Sequence, residues 1–152
     1  MRTLFTMKKT NILITGPPGC GKSTLIEKVI DSMEGPATGF FTREIKERGR
    51  RVGFSITTLD GREGILAHQN IRSQFRVGKY CVNIKDIDSI AVPAMVPSQK
   101  DKIIVIDEIG KMECLSFLFQ ETLMRALDLQ NCIIGSHCAK RDPLYATDQG
   151  TG

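Results

Sequence analysis

Short runs of apolar residues alternate along the chain with segments whose apolar residues recur every three or four positions. Three runs are apolar almost throughout and are bounded by turn residues: 11–15 (NILIT), 102–108 (KIIVIDE) and 131–135 (NCIIG). Such runs are typical of strands that are buried on both faces of a parallel sheet. Helical periodicity follows the first run, from Leu25 to Met33, and precedes the last, from Phe119 to Leu127. The pattern therefore predicts alternating strands and helices.

Three further segments complete the predicted elements. Residues 38–61 predict a β-hairpin with Gly49 in its turn. Residues 87–96 have helical spacing, but Pro93 is expected to kink or end that helix early. Ser116 is expected to cap the last helix.

This order of elements predicts an α/β fold of three layers, α/β/α. We expect a mainly parallel sheet, with the antiparallel hairpin as an insertion. A chain of 152 residues has the size of one domain, which we place at residues 1–135. Residues 136–152 show no periodicity and are predicted to form an irregular, poorly ordered tail.

The segment that joins the first strand to the first helix is rich in glycine and proline. Its sequence, GPPGCGKST at 16–24, fits the pattern Gly-x-x-x-x-Gly-Lys-Ser at Gly16, Gly21, Lys22 and Ser23. Glycines permit a tight loop whose amide hydrogens point inward, and the helix start adds the positive end of its dipole. The segment therefore predicts a phosphate-binding loop, and a chance glycine-rich turn is the alternative.

Each residue of this loop is a candidate for nucleotide binding: Gly16, Pro17, Pro18, Gly19, Cys20, Gly21, Lys22, Ser23 and Thr24. Lys22 is expected to reach the β and γ phosphates, and Ser23 is expected to place its hydroxyl on Mg²⁺. Thr24 is expected to lie near the α phosphate or to cap the turn.

Two acids stand at the end of the second apolar run. Asp107 has the position of the acid that holds Mg²⁺ in phosphoryl-transfer sites, and a turn or cap residue is its alternative. Glu108 is predicted to accept a proton from water aimed at the γ phosphate, which favours hydrolysis over transfer to an acceptor. An exposed acid in the following loop is the alternative for Glu108.

Composition narrows the class of protein. Hydrophobic residues make up 41% of the chain, which is ordinary for a globular protein, and the net charge of +4 favours anionic ligands. The five cysteines are odd in number and lack C-x-x-C spacing, so neither a disulfide framework nor a zinc site is predicted. The sequence has no secretory h-region and no apolar run of about 18 residues. We therefore expect a cytoplasmic protein without membrane association.

The predicted hairpin is strongly basic. Its cations are Arg43, Lys46, Arg48, Arg50 and Arg51. They form either a mobile lid over a triphosphate or a solvated turn, and Arg51 is the best candidate for a lid. Nucleic-acid binding is not predicted, because no aromatic residues interleave with these cations. His68 and His137 have no partner in the sequence pattern and receive no catalytic role.

These motifs taken together resemble the small P-loop nucleoside-triphosphatase family, of the thermophilic and human cancer-related type. The resemblance runs over about residues 8–135 and rests on GPPGCGKSTLIEK, TGFFTREI, GRRVGF, VGKY and IVIDEIGKMECLSFLF. It implies a P-loop fold of the additional-strand type, and Mg²⁺-dependent hydrolysis of the terminal phosphate of ATP, GTP and other NTPs with loose base selectivity.

The resemblance also assigns residues. Lys22, Ser23, Asp107 and Glu108 match the Walker residues of the family, and Lys111 and Glu113 match its diagnostic positions in the GKME segment. The implied catalytic residues are Glu108, Lys22 and Lys111, and the implied metal ligands are Ser23 and Asp107. Lys111 is expected either to neutralise charge on the γ phosphate or to be a solvated surface lysine.

The resemblance ends after Gly135, where the chain departs from the family pattern and its C-terminus reads as shortened. We therefore expect an apolar strand edge at 11–15. Two alternatives to an NTP hydrolase stay open. One is a nucleotide or nucleoside kinase, which needs an acceptor pocket and a lid; the other is a nucleotide-binding module with little turnover. The sequence does not set the oligomeric state, for which a monomer is the default expectation.

Overall fold

The computed structural model describes residues 9–138, except Pro18 and Glu34. The strands in this part of the chain are β1 (Ile12–Gly16), β2 (Ala37–Glu47), β3 (Arg50–Thr58), β4 (Glu63–His68), β5 (Arg76–Val77), β6 (Tyr80–Val82), β7 (Ile103–Asp107) and β8 (Ile133–Cys138). Its helices are α1 (Lys22–Ser32), α2 (Ile84–Asp86), a π-helical turn (Ile87–Ala91), α3 (Val92–Ala94), α4 (Lys111–Cys114) and α5 (Phe117–Asp128). None of them is long and apolar enough to cross a membrane.

The strands form one mixed sheet in the order β1-β8-β7-β2-β3-β4-β6-β5. Pairing is parallel from β1 through β8 and β7 to β2, and antiparallel from β2 to β5. The prediction of a mainly parallel sheet with an inserted hairpin is therefore wrong in part. The hairpin of β2 and β3 belongs to the sheet itself, because β2 pairs with both β7 and β3.

Helices cover both faces of the sheet, which gives the three expected layers. On one face, Ile26 of α1 packs with Val105 and Ile134. On the other face, Phe119 of α5 packs with Ile106 and with neighbours from β2 and the π-helical turn. Neighbouring residues of a strand point to opposite faces, so Val105 and Ile106 belong to different layers. By the same alternation, Asp107 faces the layer of α1.

The helical segment around Pro93 is short, as expected. It starts at α2, continues through the π-helical turn and ends with α3 at Ala94, one residue after the proline. Proline lacks an N–H and its ring clashes with the preceding turn, which disfavours a longer helix.

Strand β8 continues through Cys138, so Ser136 and His137 belong to the sheet and not to an irregular tail. The predicted boundary after residue 135 is wrong because polar residues follow the apolar run inside the same strand. Residues 139–152 of the expected tail lie outside the described residues.

Strand β1 lies next to β8 and forms one edge of the described sheet, where Ile12 and Leu13 are 49% and 55% exposed. The expected apolar edge is therefore present among these residues.

The predicted cap of α5 is confirmed. Ser116 is fully buried, and its hydroxyl accepts a hydrogen bond from the Phe119 amide at 3.0 Å and donates one to the Asp88 carboxylate. One hydroxyl thus satisfies a helix-end amide and joins α5 to the π-helical turn.

Substitution Ser116→Ala should lower the free energy of unfolding by about 1–2 kcal/mol, because it removes the cap and a donor to a carboxylate. Urea unfolding measures this loss. Ser32→Ala is the matched control, since the exposed Ser32 hydroxyl only bonds back to the Val29 carbonyl of its own helix. Equal losses in the two variants would contradict the assignment.

Candidate active site

The loop between β1 and α1 has the backbone that a phosphate cradle requires. Gly19 and Gly21 have φ angles of 75° and 96°, a left-handed conformation that only glycine adopts at little cost. Gly21 caps α1, so the loop leads directly into the positive end of a helix. Cys20 and Thr24 are exposed in the same loop and first turn. Of the candidate phosphate-binding residues, only Pro18 lies outside the described residues.

Lys22 begins α1, and its side chain folds back over the loop. Its ammonium donates hydrogen bonds to the carbonyls of Gly16 at 2.7 Å and Pro17 at 3.0 Å, and the residue is only 9% exposed. The space is tight, because a Cβ on Gly16 would lie 2.7 Å from the Cys20 sulfur. The loop therefore holds a cation at its centre, as a triphosphate site requires.

Asp107 ends β7 and is 2% exposed. One carboxylate oxygen, Oδ1, accepts a hydrogen bond from the Ser136 hydroxyl of the neighbouring strand β8. The other oxygen, Oδ2, is buried and has no hydrogen-bond partner among the described residues. A buried polar atom without a partner is costly and rare in proteins. A cation bound at Oδ2 would satisfy it, so the carboxylate fits the role of a metal ligand.

The expected second ligand, Ser23, lies in the first turn of α1 and is half-buried. Strand β1, which leads into that turn, is separated from β7 only by β8. In the described part of the chain, His, Cys, Asp and Glu residues form no cluster of three or more that would hold a metal. Such a sparse donor set suits Mg²⁺, which usually takes one or two protein ligands together with phosphates and water.

Glu108 follows Asp107 and is half-buried. Burial raises the pKa of its carboxyl, and the negative charge of Asp107 raises it further, whereas Lys22 and His137 act in the opposite direction. Glu108 thus lies within electrostatic reach of Lys22. A carboxylate of raised pKa is a better proton acceptor near neutral pH.

The loop after Glu108 is fastened to the end of β8. The Ile109 amide donates to the Ser136 carbonyl at 2.8 Å, and Nδ1 of the His137 ring lies 2.9 Å from the Ile109 carbonyl. Ser136 and His137 are therefore part of the site, although the sequence pattern assigned them no role. The signal that could have found them is their position after a buried parallel strand, since the carboxyl ends of such strands share one edge of the sheet.

Glu113, one of the residues that match the family's GKME segment, lies near enough to Glu108 and Asp107 for their charges to act on it. It is 3% exposed in α4, and one of its carboxyl oxygens lies 2.8 Å from the position that a Cβ on Gly110 would take. Burial, and then the charges of Glu108 and Asp107, raise the pKa of Glu113 to about 8. Lys111, at the start of α4, is half-buried. It is therefore not a fully solvated lysine, and its catalytic role stays a prediction.

The basic hairpin contributes differently from the expectation. The Arg51 guanidinium lies 5.2 Å from the ring centroid of Phe54 and 5.7 Å from that of Tyr80. It donates to the Tyr80 hydroxyl at 3.0 Å and pairs with Glu44 at 3.1 Å. These contacts favour a structural role for Arg51 in the antiparallel half of the sheet over a mobile lid.

Comparison with known proteins agrees with this geometry. The family model described as NTPase matches residues 11–147. The chain belongs to the NTPase family. The resemblance on which the P-loop expectations rest is thereby confirmed.

Several members of the family are similar over most of this chain. The nucleoside-triphosphatase THEP1 of Thermotoga petrophila is 47% identical over 133 residues, which cover 87% of this chain and 74% of the relative. The cancer-related nucleoside-triphosphatase of Homo sapiens is 37% identical over 139 residues, which cover 82% and 72%. The crystal structure of THEP1 from Aquifex aeolicus superposes with a TM-score of 0.77 at 32% identity, covering 91% of this chain and 83% of that one. The fold is thus that of a P-loop NTPase.

The raised pKa of Glu113 predicts a pH dependence of stability. In the folded protein this carboxyl keeps its proton up to about pH 8, whereas in the unfolded chain it loses the proton near the ordinary value of 4.5. The folded state therefore binds more protons between these values. Its stability falls as the pH rises through this window, by at most about 1.4 kcal/mol per pH unit.

Substitution Glu113→Gln should remove this slope, because the amide is neutral at every pH. Relative to the unchanged protein, the variant should gain stability as the pH rises from 5 to 7.5, which urea unfolding at the two pH values measures. Glu63→Gln, at an exposed position of β4, is the matched control. A difference between Glu113→Gln and the unchanged protein that stays constant with pH would contradict the burial argument.

Proposed function

We propose that the protein hydrolyses the terminal phosphate of nucleoside triphosphates to give a nucleoside diphosphate and phosphate, with Mg²⁺ as cofactor. The observation that carries the proposal is the placement of Glu108. This carboxyl has a raised pKa, directly follows the buried Asp107, and lies within electrostatic reach of Lys22. Membership of the NTPase family supports the same reaction class.

Substrate binding is assigned to the phosphate loop. The left-handed Gly19 and Gly21, followed by the start of α1, would present amide hydrogens and the helix dipole to phosphate oxygens. Lys22 would add a positive charge at the β and γ phosphates. These contacts would recognise the phosphate groups and not the base. ATP, GTP and other NTPs are therefore all proposed substrates.

Asp107 and Ser23 would hold the magnesium ion. The unpartnered Oδ2 of Asp107 supports this assignment, since the other oxygen of that carboxylate is already satisfied by Ser136. When bound, the ion would neutralise charge on the phosphate oxygens. Ser136 would then fix the orientation of the ligand carboxylate through its hydrogen bond.

Glu108 would orient the attacking water and take its proton. Its raised pKa makes the carboxylate more basic than that of an ordinary glutamate, and the positive charge of Lys22 favours the ionised form that accepts the proton. Lys111 is proposed to neutralise charge that develops on the γ phosphate.

The family assignment favours this hydrolysis over the kinase alternative. A cytoplasmic location, a monomeric state and the absence of nucleic-acid binding stay predictions.

Substitution Glu108→Gln tests the hydrolysis. The amide cannot accept the proton, so kcat for phosphate release from ATP and GTP should fall by at least about 100-fold. Binding of a fluorescent nucleotide should be retained, whereas Lys22→Ala should weaken it. Glu63→Gln controls for loss of a negative charge at the surface.

Two outcomes would contradict the proposed hydrolysis. One is unchanged turnover in Glu108→Gln. The other is phosphorylation of an added nucleoside or nucleotide acceptor faster than phosphate release to water, which would favour the kinase alternative.

Substitution Asp107→Asn tests the metal assignment. Loss of the ligand charge should raise the Mg²⁺ concentration for half-maximal phosphate release by about tenfold or more. The measurement is a magnesium titration at saturating nucleotide, with removal of the metal by EDTA as the baseline. An unchanged magnesium requirement, or full activity in EDTA, would exclude Asp107 as a ligand.

A further inference from the structure

A third carboxyl group lies beside the Glu108 loop, and the proposed hydrolysis gives it no role. It belongs to Glu113, which is almost fully buried although it is a glutamate on a helix of four residues. Buried carboxyls are rare unless they are bonded or functional. The groups that surround the Glu113 carboxyl should therefore explain its burial.

Glu113 reaches back to the start of its own helix. Gly110 is the N-cap of α4, and the Glu113 carboxyl lies beside it, close enough for the Gly110 amide to act on the pKa of that carboxyl by lowering it. A glutamate at the third helical position commonly bonds the amide of the cap residue. The Glu113 carboxyl therefore packs against the backbone at the point where the Glu108 loop enters α4.

The space around Gly110 joins this contact to the catalytic loop. A Cβ on residue 110 would lie 2.8 Å from Oε1 of Glu108 and 2.8 Å from Oε2 of Glu113. The carboxyl oxygens of Glu108 and Glu113 thus lie on either side of the space that a side chain at residue 110 would need. Gly110 has φ −129° and ψ −177°, an extended conformation open to any residue. The constraint at this position is steric and not conformational.

The other part of the loop is already fixed. Ile109 is bonded through its amide and its carbonyl to the end of β8. The Ile109 backbone is thus held by β8, and the Gly110 backbone is packed against the Glu113 carboxyl. Both contacts restrict the segment that carries Glu108.

We propose that Glu113 is a positioning residue for hydrolysis, which acts with Gly110 to hold the Glu108 carboxylate in place beside Asp107 and Lys22. This inference rests on the proposed function. Glu113 does not touch substrate in this role; it orders the loop and forms one side of the space into which Glu108 fits. Its burial also keeps it protonated at neutral pH, which avoids a further negative charge next to a triphosphate.

Substitution Gly110→Ala is the sharpest test. The added methyl group cannot fit unless the carboxyl of Glu108 or Glu113 moves, and a misplaced proton acceptor slows the chemical step. We expect kcat for phosphate release to fall by about tenfold or more, with the Kd for a fluorescent nucleotide changed by less than about twofold. Gly35→Ala is the matched control, because no atom lies within 4 Å of its would-be Cβ.

Substitutions of Glu113 separate positioning from folding. Glu113→Ala removes the carboxyl that packs beside Gly110 and should lower kcat without weakening nucleotide binding. Glu113→Gln retains a side chain of the same size with an oxygen to face Gly110 and should recover a clear part of the lost kcat. Activities are compared well below the melting temperature of each variant, and Gly110→Ala decides the question if Glu113→Ala does not fold.

Different results would overturn the two proposals. Where the unchanged protein releases phosphate and Glu108→Gln does not, normal kcat in both Gly110→Ala and Glu113→Ala would overturn the positioning role alone. Equal losses of kcat and nucleotide affinity in these variants would also overturn it, since they would indicate a general structural effect. If the unchanged protein releases no phosphate, or Glu108→Gln retains full turnover, the proposed hydrolysis fails and the positioning role fails with it.

Discussion

The burial of several carboxyl groups within one short segment governs the electrostatics of this site. Asp107 and Glu113 are almost fully buried and Glu108 is half-buried, and isolated carboxylates in such surroundings carry a large desolvation penalty. A different feature offsets the desolvation penalty of each group. Asp107 accepts a hydrogen bond from Ser136, Glu108 lies near the charge of Lys22, and Glu113 holds a proton because its pKa is raised to about 8. The segment therefore carries less negative charge than its sequence suggests, which favours a polyanionic ligand.

The parallel half of the sheet brings these groups together. Strands β1, β8 and β7 are neighbours with a common direction, so their carboxyl ends meet at one edge. The phosphate loop follows β1, Asp107 ends β7, and Ser136 lies in β8 between them. The antiparallel half contributes packing of another kind, in which Arg51 lies against Phe54 and Tyr80. Arg51 therefore belongs to the architecture of the sheet more than to the phosphate site.

Local patterns predicted the parts of the site that are contiguous in sequence. The loop around Lys22 and the acids after β7 were recognisable because glycine spacing and a buried apolar run are local signals. Strands β4, β5 and β6 were not predicted, since they are short and depend on pairing with distant residues. Ser136 and His137 were missed for a related reason. They are polar residues in a strand whose apolar part ends at Gly135, and only the parallel register with β1 and β7 gives them a place beside Asp107.

Glycine serves this site in two physically distinct ways, and only one of them is visible in a motif. Gly19 and Gly21 have positive φ angles, so the loop conformation itself requires them. Gly110 has an ordinary extended backbone, and its lack of a side chain matters because two carboxyl oxygens lie within 2.8 Å of the place where one would stand. A backbone requirement appears as fixed spacing along the chain, whereas this steric requirement appears only when side chains two and three positions away fold back on the same residue. The second kind of glycine therefore links the helix that carries Glu113 to the chemistry proposed for Glu108, a link that pattern analysis alone could not make.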